Sequence, residues 1–434
     1  MTPAARISST TAVLSVLVAI SLVLSGMLWF RADGQLTASR PGLKVQVRDR
    51  PDPMQLMLPR QMVANLGRDT HVLLLPGTAL YDQAWSAAMQ VLTHVETAVD
   101  ASPSAEELEA LRRDQALELT FQAAAPLGDW LRVWRGTPGL QMWPTTRHIL
   151  LVLGRSPQVL LEVDGESRWA RAPLTAGANG VADALHQAAL APPSPAVSLP
   201  ARVGVFDVTP GLYVPAEGLP VTEAHLIPDP LKADVLARSL FPDMSVVRRI
   251  EERDGADIYT DGARWLRVYA NGQSEYSVPG ADQSGRIGLS EALDSTIEFI
   301  TLHGGWLLGS TLTQVKQDGG LYQLGFGLRF NGLPVVASQP PVLINVTGRG
   351  VIAYNRRLLA PQGPPTAPAP AISAVRALES LSTDKSVSSG RVVDMYLGYL
   401  RARDNALEPA WVVDLASRQT LAVNAITAAV MPVP

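Results

Sequence analysis

The sequence predicts an α+β protein: a single N-terminal transmembrane helix, then two or three extracytoplasmic domains in which helices pack on antiparallel sheets. Three observations predict it. Ala12 to Phe30 is a run of 19 residues without a charge. The pairs Asp261-Gly262 and Asn271-Gly272, both favoured in two-residue type I′ hairpin turns, separate short segments rich in β-branched and aromatic residues. Amphipathic helical segments, such as Leu289 to His303 with Leu293, Ile297, Ile300 and Leu302 apolar, are set among those strands.

At 1.5 Å per residue the uncharged run makes about 28 Å of helix, close to the thickness of a hydrocarbon core. A secretory signal has a shorter apolar stretch followed by a small-x-small cleavage site. Here Trp29, Phe30 and Arg31 follow, and Ala38 offers only a weak alternative. The chain has no cysteine, so no lipoprotein attachment either. Trp29 and Phe30 suit an interfacial aromatic belt. The reading is an uncleaved anchor over 12–30, a cytoplasmic tail over 1–11, and the bulk of the chain outside the cell membrane. Ala12, Ser15, Ala19 and Gly26 form a stripe of small residues on this helix, interrupted by Leu22. Small residues let helices approach closely in lipid, so the stripe is a candidate partner contact; membrane helices are also rich in small residues generally.

Residues 31–58 read as extended, broken by Pro41, Pro51 and Pro53. A first domain is expected over 59–190. Thr70 to Leu75 is a buried strand, and Ala79 to Val99 carries a helical face. Ser104 with Glu107 is a capping-box signature. Arg147 to Leu153 and Gln158 to Asp164 read as strands, and Gly180 to Leu190 as a helix. Ala191 to Pro200, APPSPAVSLP, marks a boundary. A middle domain follows over 201–359. Asp229-Pro230 suits the start of a helix running to about Leu240. Three strands flank the two hairpin turns. The Leu289 to His303 helix comes next, then strands at Tyr322 to Phe330 and Val342 to Tyr354. The Pro-rich segment 360–370 reads as a stiff linker. In the last domain, 371–434, Ile372 to Leu381 is a helix, and Val392 to Arg401 and Ala410 to Asn424 are strand. YQLGFGLRFNGLP, from Tyr322, resembles YLGYLRARDNALEP, from Tyr396, which points to two copies of one helix-then-sheet unit. Chance similarity among short strands rich in Leu, Gly and aromatics is the competing reading.

Composition excludes several function classes. A net charge of −4 leaves no basic footprint for nucleic acid. Without cysteine there are no disulfides and no thiolate metal sites, which is compatible with a Gram-positive surface or a periplasm-like space. The six histidines (71, 94, 148, 186, 225 and 303) have no metal-ligand spacing, and no cofactor motif is present. Ser382-Thr-Asp-Lys385 matches S-x-x-K, yet no S-D-N or K-T-G follows. Glu251, Glu252, Asp254 and Asp257 cluster before a turn and read as solvated. No catalytic residue is predicted. Trp265 and Tyr269 share one face of a strand with Arg267, opposite Leu266 and Val268. That face is a candidate ligand platform, although strand aromatics more often point into a core.

Five stretches together resemble the YycH family: LVLSGMLWF in the anchor, LPRQMVANLG after it, LFPDMSVVRRI, IYTDGARWLRVY with EYSVP, and EPAWVVDL near the end. The resemblance spans nearly the whole chain and is densest over Leu240 to Pro279. It implies a non-enzymatic, membrane-anchored modulator of the cell-wall sensor histidine kinase WalK (also called YycG). It further implies an anchor helix contacting the kinase's membrane helices, a YycI-like partner alongside, and later domains related in fold to YycI. No residue roles come with it, because no catalytic motif defines the family. Two other readings compete: a tethered binding module for a cell-wall glycan or peptide, which a ligand-induced rise in melting temperature would favour, and a wall enzyme, which turnover of muropeptide would favour.

Overall fold

Strand alternation sets the first layer. The computed structural model describes residues 50–433 apart from 96–98, 134–144, 155, 164–167, 191–193, 229–231, 282–284, 308, 358, 363–365 and 403. The expected tail and anchor, with Ala12, Ser15, Ala19 and Gly26, lie outside the described residues. No described helix is long and apolar enough to cross a membrane.

The chain opens with α1 (Pro53–Leu56), β1 (Gln61–Leu66), β2 (His71–Leu74), α2 (Ala79–Leu92), β3 (Val99–Asp100), α3 (Ala105–Arg112), β4 (Gln115–Pro126) and α4 (Leu127–Val133). There follow β5 (Thr145–Val152), β6 (Gln158–Val163), β7 (Arg168–Pro173), α5 (Ala178–Leu190), β8 (Pro195–Ser198), β9 (Arg202–Val203), β10 (Phe206–Val208) and β11 (Tyr213–Pro215). Nine of these strands form an antiparallel sheet in the order β11-β8-β2-β1-β4-β5-β6-β7-β3. Met62, Ala64, Leu117, Leu119, Ile149 and Leu151 face one way, into a core that includes residues of α2 and α5. Their neighbours Ala116, Leu150 and Val152 face the other way, towards Leu108 and Leu111 of α3. The Ser104 hydroxyl accepts the Glu107 amide at 3.1 Å, so the expected cap starts α3.

The second half comprises β12 (Pro220–Val221), β13 (Ala224–Pro228), α6 (Ala233–Leu240), β14 (Arg248–Glu251), β15 (Asp257–Thr260), β16 (Trp265–Val268), β17 (Ser274–Ser277), α7 (Leu289–Leu302), β18 (Ser310–Asp318), β19 (Leu321–Phe330) and β20 (Leu333–Val336). It ends with β21 (Val342–Thr347), β22 (Gly350–Arg356), β23 (Leu359–Gln362), β24 (Ala369–Pro370), α8 (Ala374–Thr383), β25 (Gly390–Arg401), β26 (Ala406–Leu415), β27 (Thr420–Asn424) and β28 (Val430–Met431). Antiparallel pairing runs β14-β15-β16-β17-β22-β21-β19. β19 also holds β18 and β20, and β20 lies parallel to β25, which leads on to β26, β27 and β28. Helix α7 packs on β21, β22 and β19, and α8 on β27 and β9. Residues on both sides of the expected boundary at 191–200 enter one apolar core, from Leu56 and Tyr81 to Ile297 and Tyr354. A second core gathers Phe206, Leu333, Leu378, Tyr399, Trp411 and Val423.

Several local expectations are corrected. The Asp261-Gly262 turn has its central residues one position later, at Gly262-Ala263, with the Asp261 amide donating to the Arg264 carbonyl and φ +88° at Gly262. That is the II′ pattern, glycine first. At Asn271-Gly272 only Gly272 has positive φ, and its amide donates to the Tyr269 carbonyl, so the loop is a three-residue turn with a glycine bulge. The type I′ pair is Asn331-Gly332, φ +50° and +78°, between β19 and β20. Val342 to Tyr354 and Ala410 to Asn424 each split into two hairpin-linked strands. The boundary segment supplies β8, which pairs with β2 and β11. In the Pro-rich segment 360–370, β23 pairs with β13 and β24 with β12. Proline lacks the amide donor but keeps its carbonyl, which suffices at such short pairings. Helix α6 begins at Ala233 after Lys232, without a side-chain cap; Asp229 and Pro230 lie outside the described residues.

Candidate functional site

Trp265, Arg267 and Tyr269 stand on the outer face of β16 and the turn after it, each half-buried, while Leu266 is fully buried. The period-two alternation expected from the sequence therefore holds, and neither aromatic is a core residue. The Arg267 guanidinium sits 4.6 Å from the centre of the Tyr269 ring and forms ion pairs with Glu252 at 2.6 Å and Asp254 at 2.9 Å. Burial and the hydrogen bond with Glu275 raise the Tyr269 hydroxyl above its ordinary value. Along this face Arg267 stands between Trp265 and Tyr269 in sequence, lies against the Tyr269 ring, and has its charge met by Glu252 and Asp254.

Three of the four clustered carboxylates, Glu252, Asp254 and Asp257, are taken up by this sheet's own cations. Arg249 donates to both oxygens of Asp257, at 2.9 and 3.0 Å, and Asp254 also accepts the Ala256 amide. Ser382 of the S-x-x-K match donates to the Leu378 carbonyl of its own helix and accepts the amide of Val205, distant in the chain, so its hydroxyl is engaged by backbone on both counts. Among the described residues no group of histidines and carboxylates is placed to hold a metal.

A second constellation was not foreseen from the sequence. Asp394 of β25 accepts two hydrogen bonds from Arg60, each 2.8 Å, and one from Arg147 of β5, also 2.8 Å. Arg60 and Asp394 are almost fully buried. The Arg60 guanidinium also lies 3.8 Å from the centre of the Tyr396 ring. Burial alone would raise the Asp394 carboxyl, but the charges of Arg60 and Arg147 outweigh it and hold it below the ordinary carboxylate range. A bulge between Val392 and Asp394 leaves Val393 exposed and turns the aspartate inward. Nearby, His148 lies 3.6 Å from Glu162 and 3.2 Å from the Thr120 hydroxyl. Burial, then the Arg147 charge, lowers His148 to about 3, while burial raises Glu162 to about 7. Arg112 holds Glu118 through two bonds and reaches the Pro210 carbonyl. One signal was available: a lone Asp inside the apolar strand Arg391 to Leu400 needs a buried partner. Nothing in the sequence says that the partner is Arg60.

Residues 210–424 match the sequence profile of the YycH protein, C-terminal domain. The chain belongs to the YycH family. The crystal structure of YycH from Bacillus subtilis has the same fold, with a TM-score of 0.67 and 15% identity over 86% of this chain and 97% of that one. Two further structures align with lower scores. An uncharacterized protein from Eubacterium rectale gives 0.38 at 11% identity, over 55% of this chain and 94% of that one. The Bacillus megaterium YpeB C-terminal domain gives 0.29 at 13% identity, over 47% of this chain and 97% of that one. No curated protein matches the chain. The YycH family has a general regulatory role towards the WalK kinase. In this YycH-family chain the matched region takes in Trp265, Tyr269 and Asp394, whereas Arg60 and Arg147 precede it. The buried ion cluster thus ties the matched region to the sheet before it.

Proposed function

We propose that this chain is a non-enzymatic, membrane-anchored regulator of a two-component sensor histidine kinase that controls cell-wall metabolism. The observation that supports it most is the match of residues 210–424 to the YycH C-terminal domain. In this reading 12–30 anchors the chain, the bulk lies outside the membrane, and the stripe Ala12, Ser15, Ala19 and Gly26 meets the kinase's membrane helix, with a YycI-like protein alongside. The units 59–190, 201–359 and 371–434 form the outer part, the last two repeating one YycI-like theme. The repeat is supported by Asn331 and Asn405, which both adopt positive φ at the turn after their matching strands. Photoreactive residues at Ser15 and Ala19, crosslinked in intact cells, test the contact. Capture of a sensor kinase or a YycI-like protein supports it; repeated absence of any protein partner, with the chain shown to be in the membrane, removes it.

A second reading is a tethered binding module for a wall glycan or peptide. It is favoured by the outward, half-buried placement of Trp265 and Tyr269 around Arg267. A muropeptide that raises the melting temperature of the full chain, but not of Trp265→Ala, supports this reading.

A further inference from the structure

Strand β14 pairs with β15 and with no other strand among the described residues, and all four of its residues are exposed. Ile250 is 50% exposed, and Val246 just before the strand is 63% exposed. The Glu252 amide donates to the Ala256 carbonyl at 2.8 Å. In an antiparallel ladder this fixes the alternation: the backbone groups of Arg248, Ile250 and Glu252 point to β15, and those of Arg249 and Glu251 point outward. An open edge of this kind is a template for another strand.

We propose that β14 pairs antiparallel with β14 of a second copy of this chain, extending the β14–β17 sheet across a two-fold axis. The strand and its next residue read Arg-Arg-Ile-Glu-Glu, basic in the first half and acidic in the second. Reversed against itself, such a sequence is charge-complementary, as an isologous interface requires. The outward backbone groups set the register. Arg249 hydrogen-bonds opposite Glu251 of the second copy, Arg248 faces its Glu252, and Ile250 faces Ile250 on the axis. Because Ile250 lies beside Ile258 within each copy, four isoleucines line the outer side of the joint. A slip by one residue breaks the hydrogen-bond alternation. A slip by two sets Arg249 against Arg249, or Glu251 against Glu251. One register is therefore selected twice, by hydrogen bonding and by charge. The inference does not depend on the regulatory reading.

The absence of cysteine makes the test direct. In antiparallel pairs without mutual hydrogen bonds the Cα atoms are about 4.5 Å apart, within disulfide range. Full-length Ile250→Cys in membranes, oxidised with copper phenanthroline, is expected to give covalent dimer at several times the yield of Val99→Cys, a more exposed control. Adding Glu251→Arg is expected to lower the yield to the control, and adding Arg249→Glu with Asp257→Arg as well, which keeps the Arg249–Asp257 pair with its charges exchanged, to restore it. That restoration separates loss of pairing from loss of folding. Equal yields from Ile250→Cys and Val99→Cys, indifference to Glu251→Arg, or capture of a different protein in place of a second copy would overturn the proposal.

Discussion

Arg60 and Asp394 lie 334 positions apart in the chain and meet in a buried two-point ion pair, both bonds 2.8 Å. The pair joins the start of the first sheet to the central strand of the last one, and Arg147 closes it from β5. Removing the aspartate strands the buried guanidinium of Arg60 beside Arg147. Asp394→Ala is expected to cost about 3–5 kcal/mol in chemical denaturation. Arg60→Met with Asp394→Leu removes both charges and is expected to recover most of that loss, since Arg147 is part-exposed and free to turn to water. A double variant no more stable than the single one would show that the pair is not the source. The native carboxyl is held low, so its contribution is complete above about pH 4 and fades as the pH falls below the ordinary value of 3.8.

His148 and Glu162 oppose each other in their dependence on pH. Glu162, raised from 4.5 to about 7, keeps a proton that the unfolded chain releases in that window, so it favours the fold increasingly as the pH falls. His148, lowered from 6.5 to about 3, refuses a proton that the unfolded chain takes up, so it disfavours the fold as the pH falls. Between 4.5 and 6.5 the two effects cancel. Glu162→Gln leaves the histidine effect, and its melting temperature is expected to drop from pH 6.5 to 4.5. His148→Asn leaves the glutamate effect, and its melting temperature is expected to rise over the same interval. Slopes of the same sign in both variants would contradict the assignment.

Neighbouring residues on β16 are expected to separate stability from binding. Leu266→Ala empties a fully buried site and should cost about 2–5 kcal/mol. Trp265→Ala, on the half-buried face, should cost nearer 1 kcal/mol. Urea titrations of the two variants make the comparison. Equal losses would place Trp265 in the core and weaken the platform reading.

Gly332 combines φ +78° with a close approach, because a Cβ there would run into the Pro76 carbonyl oxygen. Gly332→Ala is therefore expected to destabilise by about 1–3 kcal/mol, from backbone strain and displacement of the loop after β2. Asn331→Gly keeps the type I′ turn and loses only the side-chain hydrogen bond to the buried Thr222 hydroxyl, so it should cost less, about 0.5–1.5 kcal/mol. Denaturation midpoints distinguish the two.

On the anchor, Ala19→Leu and Gly26→Leu are expected to weaken kinase control, read from a kinase-dependent promoter, while chain levels stay normal. Normal control in both variants at normal levels would exclude the stripe as the contact.

What the sequence determined by itself is local. Helix faces, the Ser104 cap and the inward placement of Leu266 beside the outward Trp265 depend on residues within a few positions of one another, and a side-chain period of 3.6 or 2 is legible in such a window. The family resemblance was legible too, through five short stretches. Tertiary structure decided the rest. Turn type at Asp261-Gly262 and Asn271-Gly272 follows from strand register, which a dipeptide does not set. Ala360 and Pro361 pair with Ile227 and Leu226 because strand β13 passes beside them, whatever their preference for extended linkers. Arg60, Arg147 and Asp394 are ordinary charged residues in sequence. They become one buried cluster only when separate sheets close on each other, since the energy of a charge depends on what surrounds it and not on its place in the chain.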